Sequence, residues 1–349
     1  MKSFIIQKPG KIEMVELPPI QLQPDEALVR VSYAGICATD LAILSGDMTL
    51  VRNGSIRYPI RFGHEWSGII ESVGHNVTNF TPGDHVISES GVTCGTCEFC
   101  QKKQWSKCPN SRSLGTINCW DGAFSEYMHI PARHLYKVPE NISIKEAALI
   151  EPTCIALAGI KKAEIQPGKT VLVIGTGAIG LASVALAKYY GADKILLCGR
   201  KDSKLEIGRI MGADVCINTV TESLEEVVLR ETEGNGADAI IETSGNVSLI
   251  QEVLHLAANQ GHIGLIGFYE KVVLNFKIDE VVMKSLVISG VMGEFGMPGE
   301  VLNILSTGKV DLKPMITHII PFNETANVMN HISDYENKKI KILVKINED

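Results

Sequence analysis

Four cysteines fall inside one short stretch, CGTCEFCQKKQWSKC, spaced C-x2-C-x2-C-x7-C at Cys94, Cys97, Cys100 and Cys108. Thiols this close either pair as disulfides or bind a metal as thiolates. The chain holds nine cysteines, an odd number that suits a complete disulfide framework badly. Its opening, MKSFIIQKPGKIEM, lacks the apolar run of a secretory signal, and no stretch is apolar enough to span a membrane. A cytoplasmic location is the expectation, and there thiols stay reduced. Four thiolates then predict a tetrahedral zinc, which is redox-inert and accepts an all-sulfur shell. With every position filled by protein, such a site is structural. The loop has little apolar surface of its own, so the metal replaces the core it lacks. Iron–sulfur clusters use other cysteine spacings.

A second pattern concerns phosphate. VLVIGTGAIGLASVALA carries G-x-G-x-x-G at Gly175, Gly177 and Gly180. The motif arises often by chance, but here it follows an apolar strand and opens an amphipathic helix, the context a dinucleotide needs. The first glycine permits a tight turn, the second a close approach of backbone to pyrophosphate, the third close helix–strand packing. Free N–H groups at the helix start, at Ala178 and Ile179, point to the phosphates. About twenty residues on, an NAD site carries an acid for the ribose hydroxyls. This chain has LLCGRKDSK instead, with Gly199 at that place and Arg200 beside it. Loss of the carboxylate removes repulsion toward a 2′-phosphate, and Arg200 can pair with that group bidentately. Lys201 and Lys204 add charge. The reading is NADP preferred and NAD possible; a shifted register would let Asp202 hold the ribose and restore NAD.

Three more ligand-type residues stand apart: Cys37 in YAGICATD, His64 in RFGHEWSG and Glu151 in LIEPTC. Singly, each has an ordinary explanation as a buried thiol, a satisfied imidazole or a turn at Glu-Pro. Their order with the cysteine loop and the glycine motif, however, resembles the medium-chain, zinc-dependent alcohol dehydrogenase family, nearly end to end. The resemblance implies a GroES-like, β-rich catalytic domain, a Rossmann domain with a doubly wound parallel sheet, and an active site between them. It also implies two zinc ions, one structural on the four-cysteine loop and one catalytic on Cys37, His64 and a third ligand. Many relatives place cysteine third, whereas IEPTC offers Glu151, which looks like the sorbitol and threonine dehydrogenase branch. Glu65, directly after His64, competes for that role. Three ligands leave one position for a substrate hydroxyl, whose pKa the metal lowers ahead of hydride transfer; alcohol dehydrogenase is itself a standard example of such an open site.

Thr39 stands where family members relay the released proton through Ser or Thr, and Asp40 where a carboxylate orients a zinc ligand. Both suit capping of the following helix equally well. Many relatives carry histidine two residues after that aspartate; here it is Ala42, so the relay ends on water or another group. His129, His134, His255, His262, His318 and His331 lie outside these motifs and read as structural.

The elements that position these residues follow from periodicity. The 349 residues, 45% of them apolar, exceed one ordinary domain. Residues 1 to about 150 form short β segments such as FIIQ, ALVRVSYAG, SGIIESVG and HLYKV, separated by turns such as KPGK and TPGD. After the helical stretch EAALIEPTCIALAGIKKA, apolar strands alternate with helices from TVLVIG to HIGLIG, the pattern of an α/β parallel sheet. SLVISGVM adds a strand, and the tail returns to mixed structure. The expected division is a catalytic domain of 1–152 rejoined by 293–349, and a Rossmann domain of 153–292. LAILSGDM, Trp66, Trp120 and GEFGMPGE are expected along the pocket.

The net charge of −7 opposes a nucleic-acid partner, and the partners expected are a small alcohol or ketone and further copies of the chain. Family resemblance implies a homodimer or homotetramer built through SLVISGVM. The acidic third ligand implies a secondary alcohol of a polyol, cyclitol or aminocyclitol. The 2-deoxy-scyllo-inosamine dehydrogenases of aminoglycoside biosynthesis share a GHEWSG-type motif and the Glu-Pro pair, which makes an aminocyclitol the narrowest candidate. Alternatives are a threonine- or sugar-phosphate-type dehydrogenase and, from another class, a non-catalytic zinc-binding scaffold.

Overall fold

Alternation in the strand Glu26–Gly35 turns Ala27, Val29 and Val31 to one face, and all three are buried. In the computed structural model, which describes residues 1–272, 276–293 and 295–348, this strand is the hub of a seven-stranded sheet. Glu294, inside the GEFGMPGE segment, lies outside the described residues. The sheet runs in the order Ile316–Pro321, Lys341–Lys345, Glu26–Gly35, Glu65–Val73, His85–Ser88, Leu135–Lys137, and Tyr127–Pro131 also pairs with the hub. Two of these strands come from the end of the chain. Antiparallel register sets Gly35 opposite both Glu65 and Leu343, which brings residues nearly three hundred positions apart to one spot.

The second sheet has six parallel strands in the order Val215–Asn218, Lys194–Gly199, Thr170–Ile174, Ala237–Glu242, Ala257–Leu265, Val287–Gly290. This is the Rossmann order, which reverses direction between Thr170–Ile174 and Ala237–Glu242 and opens a crevice at the carboxyl ends there. Val171, Leu172 and Val173 are fully buried because helices cover both faces, so these strands read as apolar runs without alternation.

The helix Ile150–Lys162 joins the two sheets. Its Ala156, Leu157 and Ile160 sit in an apolar cluster that extends from Val171 and Val173 of the parallel sheet to Tyr33, Ile87 and Leu343 of the other. Burial of this shared face holds the sheets together and places the amino end of the helix, with Glu151, at their junction. Among the described residues, no helix is long and apolar enough to cross a membrane. Leu343→Ala is expected to cost about 2–5 kcal/mol by leaving a cavity at this junction. A denaturant melt measures it, and an unshifted midpoint would show that the cluster does not extend through Leu343.

Candidate active site and metal centres

The helix Ala38–Ser45 begins directly after Cys37, whose N–H donates to Asp40 Oδ2 at 2.9 Å. That bond caps the helix and fixes the Cys37 backbone. The second carboxylate oxygen, Asp40 Oδ1, lies 3.8 Å from His64 Nδ1, and neither atom has a hydrogen-bond partner among the described residues. His64 follows Gly63, whose φ of +100° only glycine adopts readily and whose missing side chain makes room for Phe124. Thr39 is half-buried on the same turn as Asp40.

Ligand atoms of Cys37, His64 and Glu65 all lie within 4.8 Å of one another. Glu65 already has a partner: Lys341 Nζ donates to both of its oxygens, at 2.7 and 2.5 Å, and both side chains are buried. Gly35 makes this possible, since a Cβ there would sit 2.4 Å from Glu65 Oε2. Glu151 is not in the tight group. It opens the helix Ile150–Lys162 and faces a small void shared with Ser88, Glu89 and Cys154.

Desolvation dominates the electrostatics. It pushes the Asp40 carboxyl up to about 6 against the pull of His64, and the Glu151 carboxyl up to about 7 against the same pull. Burial opposes charge on His64, yet Cys37, Asp40 and Glu151 outweigh it and raise its pKa well above the usual range. Burial likewise opposes charge on Lys341, and Glu65 overcomes it. Three carboxyls and a thiol thus share one lysine and one histidine, and the spot is short of positive charge. A divalent cation supplies that charge, and thiolate, imidazole and carboxylate donors suit zinc. The unpartnered His64 Nδ1 faces a carboxylate, the relation that orients metal-binding histidines. The residues present fit a zinc ion.

On the loop, the ligand atoms of Cys94, Cys97, Cys100 and Cys108 also lie within 4.8 Å of one another, and no disulfide joins them. The sulfurs are 3.4 Å apart for Cys97–Cys100 and 3.6 Å for Cys94–Cys108. Backbone N–H groups of Thr96 and Cys97 hold the Cys94 thiol down to about 5. Against the pull of the Cys100 N–H, burial and the neighbouring sulfurs push the Cys97 thiol up to about 11, since four crowded thiols cannot all ionise without a cation. This donor set fits a closed, tetrahedral zinc.

At the carboxyl ends of the parallel strands lies a cavity of about 790 Å³ whose wall includes Gly175, Thr176, Gly177, Gly199, Arg200 and Ser244. Gly175 has φ +110°, and a Cβ on Gly180 would fall 1.9 Å from the Gly175 carbonyl oxygen, so both positions demand glycine. Ala178, Ile179 and Gly180 start the helix behind the wall and do not line it, and Lys204 lies on the next helix, Asp202–Ile210. Asp202 accepts from Asn218 Nδ2 at 2.7 Å.

Sequence reasoning missed two buried charges. Glu242 ends the strand Ala237–Glu242 and accepts from the Ser244 N–H at 2.7 Å and the Tyr269 hydroxyl at 2.8 Å, which fixes the turn carrying Thr243 and Ser244 on the cavity wall. Its signal is an acid closing an apolar strand, IIETSG. Lys341 was legible as a lysine in phase with Leu343 along an apolar strand. Trp66 packs in the catalytic-domain core, and Trp120 lies against His129 at 5.0 Å and beneath Arg112. His129 bonds Glu26, and His134 bonds Thr93.

Comparison with known proteins decides the family. Residues 23–140 match the alcohol dehydrogenase GroES-like domain and residues 178–306 the zinc-binding dehydrogenase domain. Sorbitol dehydrogenase of Bacillus subtilis (strain 168) is 30% identical over 99% of this chain and 97% of its own. The chain belongs to the zinc-binding alcohol dehydrogenase family. Two solved structures are similar over 99% of both chains. One is a zinc-binding dehydrogenase of Sinorhizobium meliloti 1021 bound to NADP, with TM-score 0.89 and 25% identity. The other is an alcohol dehydrogenase of Escherichia coli CFT073 complexed with NADH, with TM-score 0.89 and 30% identity. As a member of this family the protein is an oxidoreductase, an alcohol dehydrogenase, and the scaffold alternative falls away. In this enzyme Lys341→Met strands Glu65 as a buried, unpaired charge, at an expected cost of about 3–5 kcal/mol. Urea unfolding measures the loss; an unchanged midpoint would mean that Glu65 finds its countercharge elsewhere.

Proposed function

We propose that this dehydrogenase reversibly oxidises a secondary alcohol of a polyol, cyclitol or aminocyclitol to the ketone, in the cytoplasm, with NADP preferred over NAD. The observation that carries the reading is the gathering of Cys37, His64 and Glu65 within 4.8 Å of one another, with the desolvated carboxyl of Glu151 near enough to feel the charge of His64. Because Lys341 holds both oxygens of Glu65, we assign Glu151 as the third ligand of the catalytic zinc. The second zinc takes Cys94, Cys97, Cys100 and Cys108. Similarity to sorbitol dehydrogenase supports a polyol-like substrate, and a 2-deoxy-scyllo-inosamine-type aminocyclitol is the narrowest form of the proposal.

Cys37, His64 and Glu151 would hold the zinc ion, which would supply a Lewis acid for the substrate hydroxyl. Asp40 steadies His64 while capping the helix that carries Cys37 and Thr39. Thr39 takes the hydroxyl proton and passes it to water, since Ala42 offers no imidazole. The Gly175–Gly180 turn would anchor the pyrophosphate of a nicotinamide coenzyme, which would serve as acceptor for the hydride of the carbinol carbon. Glu242 keeps the facing turn rigid. At the far end of the cavity, Gly199 carries no acid and Arg200 pairs with no carboxylate among the described residues, while Asp202 is engaged by Asn218. These features support recognition of a 2′-phosphate.

The division into 1–152 with 293–349 and 153–292 is proposed as the pair of lobes around this cleft. The edge strand Val287–Gly290, with Val287 exposed and Val282, Met283 and Met292 exposed nearby, supports pairing with a second copy into a dimer or tetramer.

Metal analysis of Cys37→Ser beside wild type tests the centre. About two zinc per chain should fall to about one, with activity lost and the fold kept; equal zinc in both proteins removes Cys37 from the site. Arg200→Ala should lower the NADP-to-NAD ratio of kcat/KM by about ten- to a hundredfold, the worth of a lost charged hydrogen bond. A constant ratio would refute the assignment of Arg200.

A further inference from the structure

Gly293 and residues 295–299, the last three of them in the first turn of the helix Met297–Ser306, follow the last strand of the parallel sheet, and 295–299 are fastened to the catalytic domain at three points. The ring of Phe295 rests on Gly91, where a Cβ would lie 2.4 Å from its Cζ, and stands 6.0 Å from the ring of His134. The Gly296 N–H donates to Glu89 Oε1 at 2.8 Å. The Tyr136 hydroxyl donates to the same oxygen at 2.6 Å, and its ring lies under Gly299, where a Cβ would be 3.3 Å from Cε1.

Glu89 is buried and meets no cation among the described residues; burial pushes its carboxyl above the usual range. A desolvated carboxyl held by two neutral donors is an expensive way merely to fill space. The support extends further. His134 accepts from the Thr93 N–H at 3.1 Å, Thr93 precedes Cys94, and the Trp105 ring of the cysteine loop lies 6.0 Å from His134. The fastening therefore stands on the four-cysteine loop.

What it holds in place borders Glu151. Between Glu89, Glu151 and Cys154 on one side and Gly293 and Pro298 on the other remains a void of only about 10 Å³, room for one water. We infer that Glu89, Gly91 and Phe295 are positioning residues that clamp this segment beside Glu151 and so set how large a carbon skeleton the site accepts. The inference rests on the proposed role of Glu151 at the reacting centre. The clamp favours compact alcohols and excludes bulk on this side.

Two readouts test it on the full-length enzyme. In hydrogen exchange, the segment around Gly296 should open about tenfold faster in Glu89→Ala and in Gly91→Ala, which expels the Phe295 ring. Glu89→Gln keeps an acceptor and should remain protected. In kinetics over secondary alcohols of increasing size, both alanine variants should raise KM for the smallest about tenfold and flatten the size dependence of kcat/KM, with kcat changed less. Glu89→Gln should restore the wild-type profile. Phe295→Leu, which needs no extra space, replaces Gly91→Ala if that variant misfolds. Unchanged exchange in Glu89→Ala overturns the clamp, and so does faster exchange with an unaltered size profile. Wild-type enzyme that oxidises no secondary alcohol at all overturns the function proposed above instead, which separates the two failures.

Discussion

Buried charge has to be balanced, and that requirement organises this molecule. Asp40, Glu65 and Lys341 are almost fully enclosed, with His64 and Cys37 beside them and Glu151 at the edge. Water that would have screened these groups is excluded, so each negative group must find a positive one or give up its charge. Lys341 neutralises Glu65. Asp40 and Glu151 are left with the upward shift of desolvated carboxyls, a frustrated arrangement that a bound cation relieves. The same imbalance that would be a defect in an ordinary core marks this spot as a candidate metal centre.

The fold solves the problem of assembly by closing one sheet with both ends of the chain. Glu65 and Lys341 come from strands on either side of the hub Glu26–Gly35, with Gly35 leaving space between them. The tail strand therefore stands directly behind the candidate metal centre, and Leu343, two residues along, belongs to the apolar cluster that welds the sheets together. Stability and site geometry share the same strand.

Connections across the cleft are polar as well as apolar. The Glu270 carboxylate accepts from the Thr49 N–H at 2.7 Å and pairs with Arg52 at 2.8 Å, which ties the loop after the strand Ala257–Leu265 to the catalytic domain. Lys201 Nζ donates to the Glu336 carbonyl and Ser203 to the Asn337 carbonyl, which ties the segment after Arg200 to the tail. The parallel sheet is thus tied to its neighbour by polar contacts at two places, besides the apolar face of the helix Ile150–Lys162. Such an arrangement suits a reaction in which coenzyme and alcohol must meet at fixed separation.

Local chemistry was legible in the chain itself. The cysteine spacing, the glycine turn with its strand and helix, and the absence of an acid at Gly199 are short-range patterns, written in consecutive residues because a loop or a single turn must satisfy them. Strand–helix alternation is equally local, and it announced the parallel sheet. What only the tertiary structure decided were the long-range partnerships: Glu65 with Lys341, Asp40 with both the Cys37 backbone and His64, and Glu89 with Gly296 and Tyr136. Such pairs depend on register and on which face of a strand turns inward, and those are settled by the packing of distant segments, for which a linear string carries no marker.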